Sequence, residues 1–298
     1  MPWEHPWLYP IQTILLTMPI WGALLMPLWS LFCSRIFSIS KGHHWGSMAI
    51  SIIVCSWSLG VWTPTGVDGT SEVDILIANV NAYAPKDDQL AKRLSLLDAD
   101  YVVLLEKRVE EIEGMKRGAD DFARPVKKPS HHTAVFCKED CVSWISPQVG
   151  SDTMAMSLAV LPLQNKICLI GVHIPPPTPI DATGMRPYVE YIESAIENGK
   201  LLRDWEGCRQ NDAVVVAGDF NGVSGGWAHA QLMNLGLVDA QRHSGIYGAT
   251  WPSDSEDFIP LSVFRIDHVL HHPSVRLSVQ QIQIAGSDHQ GLWIQVFE

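Results

Sequence analysis

Charge is missing from two long stretches near the start of this 298-residue sequence. No Asp, Glu, Lys or Arg occurs between residues 11 and 33, or between residues 45 and 67. Each run has 23 residues, and an apolar helix needs roughly 20 to cross a bilayer. Neither run has the polar face of a soluble amphipathic helix. The two runs therefore predict a membrane hairpin over residues 1–66, with transmembrane helices at about 8–33 and 45–64.

Basic residues are missing from the first seven positions, MPWEHPW. This disfavours a cleaved signal peptide, because such a peptide begins with a positively charged region. The segment between the two apolar runs carries Arg35 and Lys41, and the positive-inside rule assigns such a segment to the cytoplasm. We therefore expect an integral membrane protein that crosses twice, with its larger domain, residues 67–298, on the extracytoplasmic side.

Basic residues are also scarce in the larger domain, and the sequence has no internal repeat. After residue 66 the chain carries 19 Lys and Arg against 31 Asp and Glu, a net charge of −12. Such a surface repels polyanions and offers no basic stripe for a phosphate backbone. The composition therefore disfavours long duplex DNA as a partner.

Cysteine is sparse, with six residues in the chain. Cys137 and Cys141 flank a short polar loop between two strand-like segments, HTAVF and VSWIS, a pattern typical of a hairpin. The two cysteines either pair across this hairpin, which would indicate an oxidising compartment, or remain free buried thiols.

Strand-like and helix-like segments alternate from residue 73 onward, which is typical of an α/β domain. The predicted strands are VDILIANV (73–80), YVVLLE (101–106), HTAVF, VSWIS, MSLAVLPL, KICLIGVHI (166–174), AVVVAGDF, FRIDHVL, VRLSVQQIQIA and LWIQVF. Helical patterns occupy residues 86–98, 183–202 and about 228–235.

Polar residues stand at the ends of several predicted strands. In AVVVAGDFNG, a buried-strand pattern ends in Asp219 and Asn221, which point the same way because they are two positions apart. One such ending is also typical of a turn in which the side chains cap the local backbone. Several endings together indicate strand ends that converge on one site. The polar strand ends are Asn79, Glu106, His173, Asp219 with Asn221, and Asp267.

Carboxylates, amides and histidines make up this set, and Asp288 and His289 near the C-terminus extend it. Oxygen-rich ligand sets favour Mg²⁺, Mn²⁺ or Ca²⁺ over zinc. Such an ion typically acts on phosphate esters, where it neutralises charge on the transferred phosphoryl group. A histidine whose second nitrogen is held by an aspartate can act as a general base or orient the phosphate.

Six short motifs occur in the larger domain, in the order ILIANV, VVLLE, GVHI, AGDFN, RIDHVL and GSDH. With these motifs in this order, the sequence resembles the endonuclease/exonuclease/phosphatase superfamily over about residues 73–298. The resemblance implies a DNase I-like four-layer α/β sandwich, in which helices flank two mixed β-sheets. It also implies hydrolysis of phosphate esters with Mg²⁺ or Mn²⁺.

The resemblance implies a metal site and a water-activating group. Asn79, Glu106 and Asp288 match the residues that place the metal, and Glu106 would bind it directly. Asp219 matches the aspartate that orients or deprotonates the attacking water. Asn81 is the alternative to Asn79, which directly follows the predicted buried strand.

The resemblance also implies contacts to the scissile phosphate. His173, Asn221 and His289 match the residues that hold this phosphate, and Asp267 matches the aspartate that buttresses His289. The alternatives are a core histidine at position 173 and an Asp267 that pairs with a neighbour in the RIDH motif.

Substrate-binding candidates come from two further places. Many family nucleases carry a tyrosine or further polar groups that face the phosphate between the positions of the GVHI and AGDFN motifs. The corresponding interval here offers Arg186 as the obvious cation, either as a phosphate-binding guanidinium or as a helix-surface residue. GATWPS (248–253) is similar to an element of the membrane-anchored bacterial branch of the superfamily and adds Thr250 and Trp251.

These patterns predict that the protein is a divalent-metal-dependent phosphodiester hydrolase, in which an activated water attacks phosphorus. The membrane anchor and acidic surface favour a lipid head group or a small phosphodiester as the substrate. The alternatives are an extracytoplasmic nuclease and a non-catalytic, membrane-tethered binding module.

Overall fold

The structure of the chain is a computed structural model. It describes residues 70–80, 98–106, 133–138, 157–163, 166–176, 184–242, 249–253, 264–284 and 286–298. The predicted membrane hairpin, residues 1–66, lies outside these ranges, as do most of the predicted helix at 86–98 and the VSWIS segment. Neither helix in the described ranges has the length and hydropathy that a membrane span requires.

The first sheet has five strands. They are β1 (Val73–Asn79), β2 (Tyr101–Leu105), β3 (Thr133–Cys137), β11 (Arg276–Gln283) and β12 (Gln290–Phe297). Their order across the sheet is β11-β12-β1-β2-β3. β1 runs parallel to β2 and antiparallel to β12, so the sheet is mixed.

The second sheet has seven strands. They are β4 (Ser157–Leu163), β5 (Ile167–His173), β6 (Ile196–Glu197), β7 (Lys200–Leu201), β8 (Ala213–Asp219), β9 (Val238–Asp239) and β10 (Asp267–His271). Five of them lie in the order β4-β5-β8-β10-β9. β5 runs parallel to β8, and β10 runs antiparallel to β8, so this sheet is mixed as well.

The core lies between the two sheets because alternate residues of each strand are apolar and face the opposite sheet. Ile75 and Ile77 of β1 belong to the same buried cluster as Leu169 of β5 and Val215 of β8. The outer face of the second sheet packs against helices α1 (Arg186–Ala195) and α2 (Trp227–Asn234). The described residues therefore contain two mixed sheets and one helical layer, in agreement with the predicted DNase I-like α/β class.

The helix predicted over residues 183–202 is shorter than expected, which corrects the sequence interpretation. α1 ends at Ala195, and β6 and β7 follow as a hairpin around Asn198 and Gly199. Both turn residues have positive φ, 51° and 73°. Asn-Gly is the strongest two-residue hairpin signal, and its local turn preference overrides the helical spacing of the apolar residues.

A disulfide joins Cys168 of β5 to Cys208, which precedes β8, with a Cα–Cα distance of 5.7 Å. The sequence analysis did not predict this bond. Cys137 is also disulfide-bonded, but the predicted pairing with Cys141 involves a residue outside the described ranges.

Gly218 of β8 is paired with Val172 of β5. Its φ is +133°, and a Cβ atom there would lie 2.2 Å from the carbonyl oxygen of Val172. Only glycine fits this position, which directly precedes Asp219.

Replacing Gly218 tests this close approach. We expect Gly218→Ala to lower the free energy of unfolding by about 3 kcal/mol or more, because the backbone must shift to relieve the clash. The matched control is Gly184→Ala, where a Cβ would meet nothing within 4 Å. Urea unfolding of both variants measures the difference, and equal stability of the two would contradict the steric explanation.

Candidate active site

Strand alternation and register bring polar residues from three neighbouring strands to one end of the molecule. His173 of β5 is paired with Asp219 of β8, and Asp219 is paired with Asp267 of β10. All three side chains continue the rows that face the first sheet, because they stand at even spacings from buried core residues. Asn79, at the end of β1, continues the corresponding row of the opposite sheet. The four residues are 1–4% exposed, so the site is built into the edge of the core.

Asn79 and Glu106 join the two sheets at this site. The Nδ2 group of Asn79 donates hydrogen bonds to Oε1 of Glu106 at 3.0 Å and to Oδ2 of Asp219 at 2.9 Å. By strand alternation Glu106 would point away from the core, but its φ of 60° ends β2 and breaks the alternation. The amide therefore bridges two carboxylates, one on each sheet.

Asn221 is held beside Asp219 by two kinds of contact. Its backbone N–H donates to Oδ1 of Asp219 at 2.7 Å, and its side-chain amide donates to the carbonyl oxygen of Ile174 at 2.9 Å. The same amide nitrogen lies 3.2 Å from Nε2 of His173. Asp219 thus accepts a hydrogen bond from the local backbone with Oδ1 and from the site residue Asn79 with Oδ2. The end of β8 therefore forms a local turn and also contributes to the cluster of polar residues.

The imidazole ring of His289 lies between the side chains of Asp267 and Asp219. Its Nδ1 donates to Oδ2 of Asp267 at 2.9 Å, and its Nε2 lies 3.8 Å from Oδ2 of Asp219. Burial opposes the charged imidazolium, but the charge and the hydrogen bond of Asp267 raise the pKa of His289 to about 9. Burial and the nearby Asp267 charge raise the pKa of Asp219 to about 8. The ring is therefore a fixed cation beside a carboxyl group that holds its proton near neutral pH.

Ser287 is a site residue that the sequence analysis missed. Its hydroxyl donates to the backbone carbonyl of Asn79 at 2.6 Å and accepts from the backbone N–H of His289 at 3.0 Å. The serine therefore fixes the GSDH loop against the end of β1. Its position inside a recognised motif was the available signal.

Trp251 and Thr250 form hydrogen bonds with residues of the site. The indole N–H of Trp251 donates to Oδ2 of Asp288 at 3.1 Å. Thr250 is fully buried, and its hydroxyl accepts from the backbone N–H groups of Ile266 and Asp267. The hydroxyl of Thr250 is therefore directed at the backbone before β10, and its contact with the substrate stays a prediction.

Arg186 lies apart from the cluster. It opens α1, its side chain is 47% exposed, and its guanidinium is 3.9 Å from Glu190 one helical turn away. No contact in the described ranges joins it to the other site residues. This geometry matches the alternative interpretation, a helix-surface arginine.

The donor atoms of the site fit a divalent cation. Glu106, His173 and Asp219 offer ligand atoms within 4.8 Å of one another. Three carboxyl groups meet here, and burial raises the cost of charging them. A divalent ion offsets that cost, and oxygen donors suit hard cations such as Mg²⁺ and Mn²⁺.

Two mixed sheets with polar strand ends gathered at one edge define the class of DNase I-like α/β folds. A model of the Endonuclease/Exonuclease/phosphatase family matches residues 76–289. The chain belongs to this family, as its sequence motifs predicted.

Solved structures support the fold at low sequence identity. TDP2 from D. rerio, in complex with a single-strand DNA product, is 16% identical with a TM-score of 0.52 and covers 76% of this chain and 99% of its own. An endonuclease/exonuclease/phosphatase from Beutenbergia cavernae is 15% identical with a TM-score of 0.53 and covers 76% and 71%. A mannosyl-6-phosphatase from Bacteroides thetaiotaomicron is 15% identical with a TM-score of 0.50 and covers 76% and 100%. No curated protein sequence matches the chain significantly.

The raised pKa of Asp219, about 8, makes cation binding dependent on pH. Below this pH the carboxyl group must release its proton when a divalent ion binds beside it, so we expect Mg²⁺ affinity to rise by up to about tenfold per pH unit. Above this pH the affinity should level off. Calorimetric titration in buffers of different ionisation enthalpy measures both the affinity and the released proton.

Asp219→Asn is the control for this titration, because it removes the titrating group and keeps the shape of the side chain. We expect weaker binding with a flatter pH profile. A wild-type affinity that stays constant between about pH 6 and pH 9 would exclude Asp219 as the linked group.

Proposed function

We propose that the chain is a divalent-metal-dependent phosphodiester hydrolase. The observation that carries the proposal is the bridge from Asn79 to Glu106 and Asp219, which brings oxygen donors of both sheets to one point beside the His289 cation. Family membership supports a phosphoester hydrolase as the broader class. A carboxylate-rich site with adjacent histidines suits charge neutralisation and positioning, which dominate catalysis of phosphoryl transfer.

In the proposed arrangement Glu106, Asn79 and Asp288 hold Mg²⁺ or Mn²⁺. When bound, this ion supplies Lewis-acid stabilisation of the charge that develops on the phosphate oxygens. In that arrangement Asp219 would be ionised and could accept a proton.

Asp219 takes the proton of the attacking water in this proposal. The water oxygen forms a bond to phosphorus, and the bond between phosphorus and the leaving ester oxygen breaks. The leaving oxygen takes a proton from the solvent, so the products are a phosphate monoester and an alcohol. Asn221 and His173 bind the phosphate on one side. His289 binds it on the other as a cation that Asp267 keeps protonated and oriented.

The surface charge guides the choice of substrate. A domain with a net charge of −12 after residue 66 disfavours long duplex DNA. We propose a small phosphodiester or a lipid head group, together with a membrane anchor at residues 1–66 and a catalytic domain at residues 67–298. A nuclease acting outside the cytoplasm is the second candidate, because the similar TDP2 structure holds a single-strand DNA product.

Hydrolysis of model esters tests the proposed function. We expect the purified full-length chain to hydrolyse bis-p-nitrophenyl phosphate with Mg²⁺ or Mn²⁺, and His173→Ala to lower kcat by about 100-fold or more. His272→Ala is the matched control, because His272 follows β10 at the end remote from Asp267. This variant should keep wild-type activity.

Other outcomes of the assay separate the candidates. Turnover of p-nitrophenyl phosphate alone would indicate a phosphatase, and preferential cleavage of single-stranded DNA would favour the nuclease. Absence of turnover with both ions would support a non-catalytic binding module.

The disulfide between Cys168 and Cys208 supports an oxidising, extracytoplasmic location for the domain. We expect both cysteines to resist alkylation when cells are lysed and their proteins are denatured in the presence of a thiol-alkylating reagent. The two cysteines should react after reduction. Mass spectrometry of the peptides that contain these cysteines measures the difference. Complete alkylation without reduction would place the domain in a reducing compartment.

A further inference from the structure

A second buried polar cluster lies behind the active site. We call it the Asp239 network and define it as Ser224, His229, Asp239, Arg265 and His268. The ligand atoms of His229, Asp239 and His268 lie within 4.8 Å of one another. The mechanism proposed above uses none of these five residues.

Asp239 holds two side chains of this network together. Its carboxylate accepts hydrogen bonds from both terminal nitrogens of Arg265 and lies 3.1 Å from Nε2 of His229. The side chains of Arg265 and Asp239 are only 10% and 5% exposed. Burial opposes ionisation of Asp239, but the hydrogen bond from His229 and the charge of Arg265 hold its pKa below the usual range. A buried ion pair with this many hydrogen bonds fixes its members in one geometry.

Three hydrogen bonds connect the network to the loop between β8 and α2, residues 220–226, which includes Ser224 itself. Nε2 of His268 donates to the carbonyl oxygen of Gly222 at 2.7 Å, and Nε of Arg265 donates to the hydroxyl of Ser224 at 2.6 Å. The backbone N–H of Gly225 donates to Nδ1 of His229 at 3.2 Å. The loop begins directly after Asp219 and carries Asn221. Hydrogen bonds to residues outside the proposed mechanism therefore hold the backbone of this loop.

A metal ion does not fit the Asp239 network. Nδ1 of His229 accepts the N–H of Gly225, so the ring hydrogen lies on Nε2, the atom that faces Asp239. The guanidinium of Arg265 already neutralises Asp239. A divalent ion would have to displace both hydrogen-bonded donors and sit beside a buried positive charge.

We propose that the Asp239 network positions the β8–α2 loop and thereby fixes Asn221 in the active site. Asn221 has a φ of 48°, in the left-handed region that asparagine tolerates, and its own contacts leave the backbone that follows it to be held by other residues. The three contacts at Gly222, Ser224 and Gly225 hold that backbone. The five residues are positioning residues, and the effect on catalysis rests on the proposed phosphoesterase function.

Substitutions at two positions test the network in the full-length chain. Ser224→Ala removes one loop contact and leaves the buried ion pair intact, whereas Ser224→Thr keeps the hydroxyl. Asp239→Asn weakens the ion pair itself. Its matched control is Asp212→Asn, because Asp212 is a carboxylate of similar burial that accepts a backbone hydrogen bond from Arg209.

We expect Ser224→Ala to lower kcat for the diester by about three- to tenfold with little change in KM. Ser224→Thr should restore it, and Asp212→Asn should leave it unchanged. In an Asn221→Ala background Ser224→Ala should have less than about a twofold effect, because residues that act through one group are not additive. Equal losses in both backgrounds would overturn the proposal.

Amide hydrogen exchange tests the same proposal without any activity. We expect faster exchange of the Asn221 and Gly225 amides in Ser224→Ala and Asp239→Asn, and wild-type exchange in Asp212→Asn. Unchanged exchange in both network variants would overturn the positioning role. An inactive wild-type chain in which the variants loosen this loop would instead refute the phosphoesterase proposal and retain the network.

Discussion

The register of three neighbouring strands is the constraint on which the site depends. β5, β8 and β10 are paired so that His173, Asp219 and Asp267 stand side by side at the same level of the second sheet. Because side chains alternate along a strand, a slip of one residue in β8 would turn Asp219 toward the helices. Both faces of β8 are apolar, with Val214 and Val216 in one buried cluster and Val215 and Ala217 in the other, so burial alone does not fix this register. Gly218 does fix it, because any larger residue brought to this position would clash with the carbonyl oxygen of Val172.

The site concentrates carboxyl groups where the protein is least able to solvate their charge. Asp219 and Asp267 are almost completely buried, and the structure compensates with the proton that Asp219 keeps near neutral pH, the amide of Asn79 and the imidazolium of His289. Burial of ionisable groups costs stability in the folded chain, and a cation bound at the site would lower that cost.

The sequence was sufficient to predict features that depend on local spacing. Strand ends, the alternation that aims Asp219, and the order of the family motifs are all local. Asn221 differs, because it lies beyond the end of β8 with a φ of 48° and strand alternation does not aim it. Features that depend on distant partners were not predictable in this way. The hydroxyl of Thr250 accepts a hydrogen bond from the backbone just before β10, a contact that local spacing does not reveal. Asp239 likewise pairs with Arg265, which is 26 residues away in the sequence. The Asn-Gly pair after α1 was a local signal for a turn, but the helical spacing of the apolar residues around it led to the prediction of a longer helix.

The disulfide between Cys168 and Cys208 also changes how the domain responds to mechanical force. The bond spans 40 positions of sequence and bypasses α1 and the short hairpin that follows it. Tension applied along the backbone would pass through the sulfur atoms, and the intervening segment could not lengthen. An extending force would therefore reach β8 directly from β5, and the part of the molecule that carries α1 would be shielded from stretching.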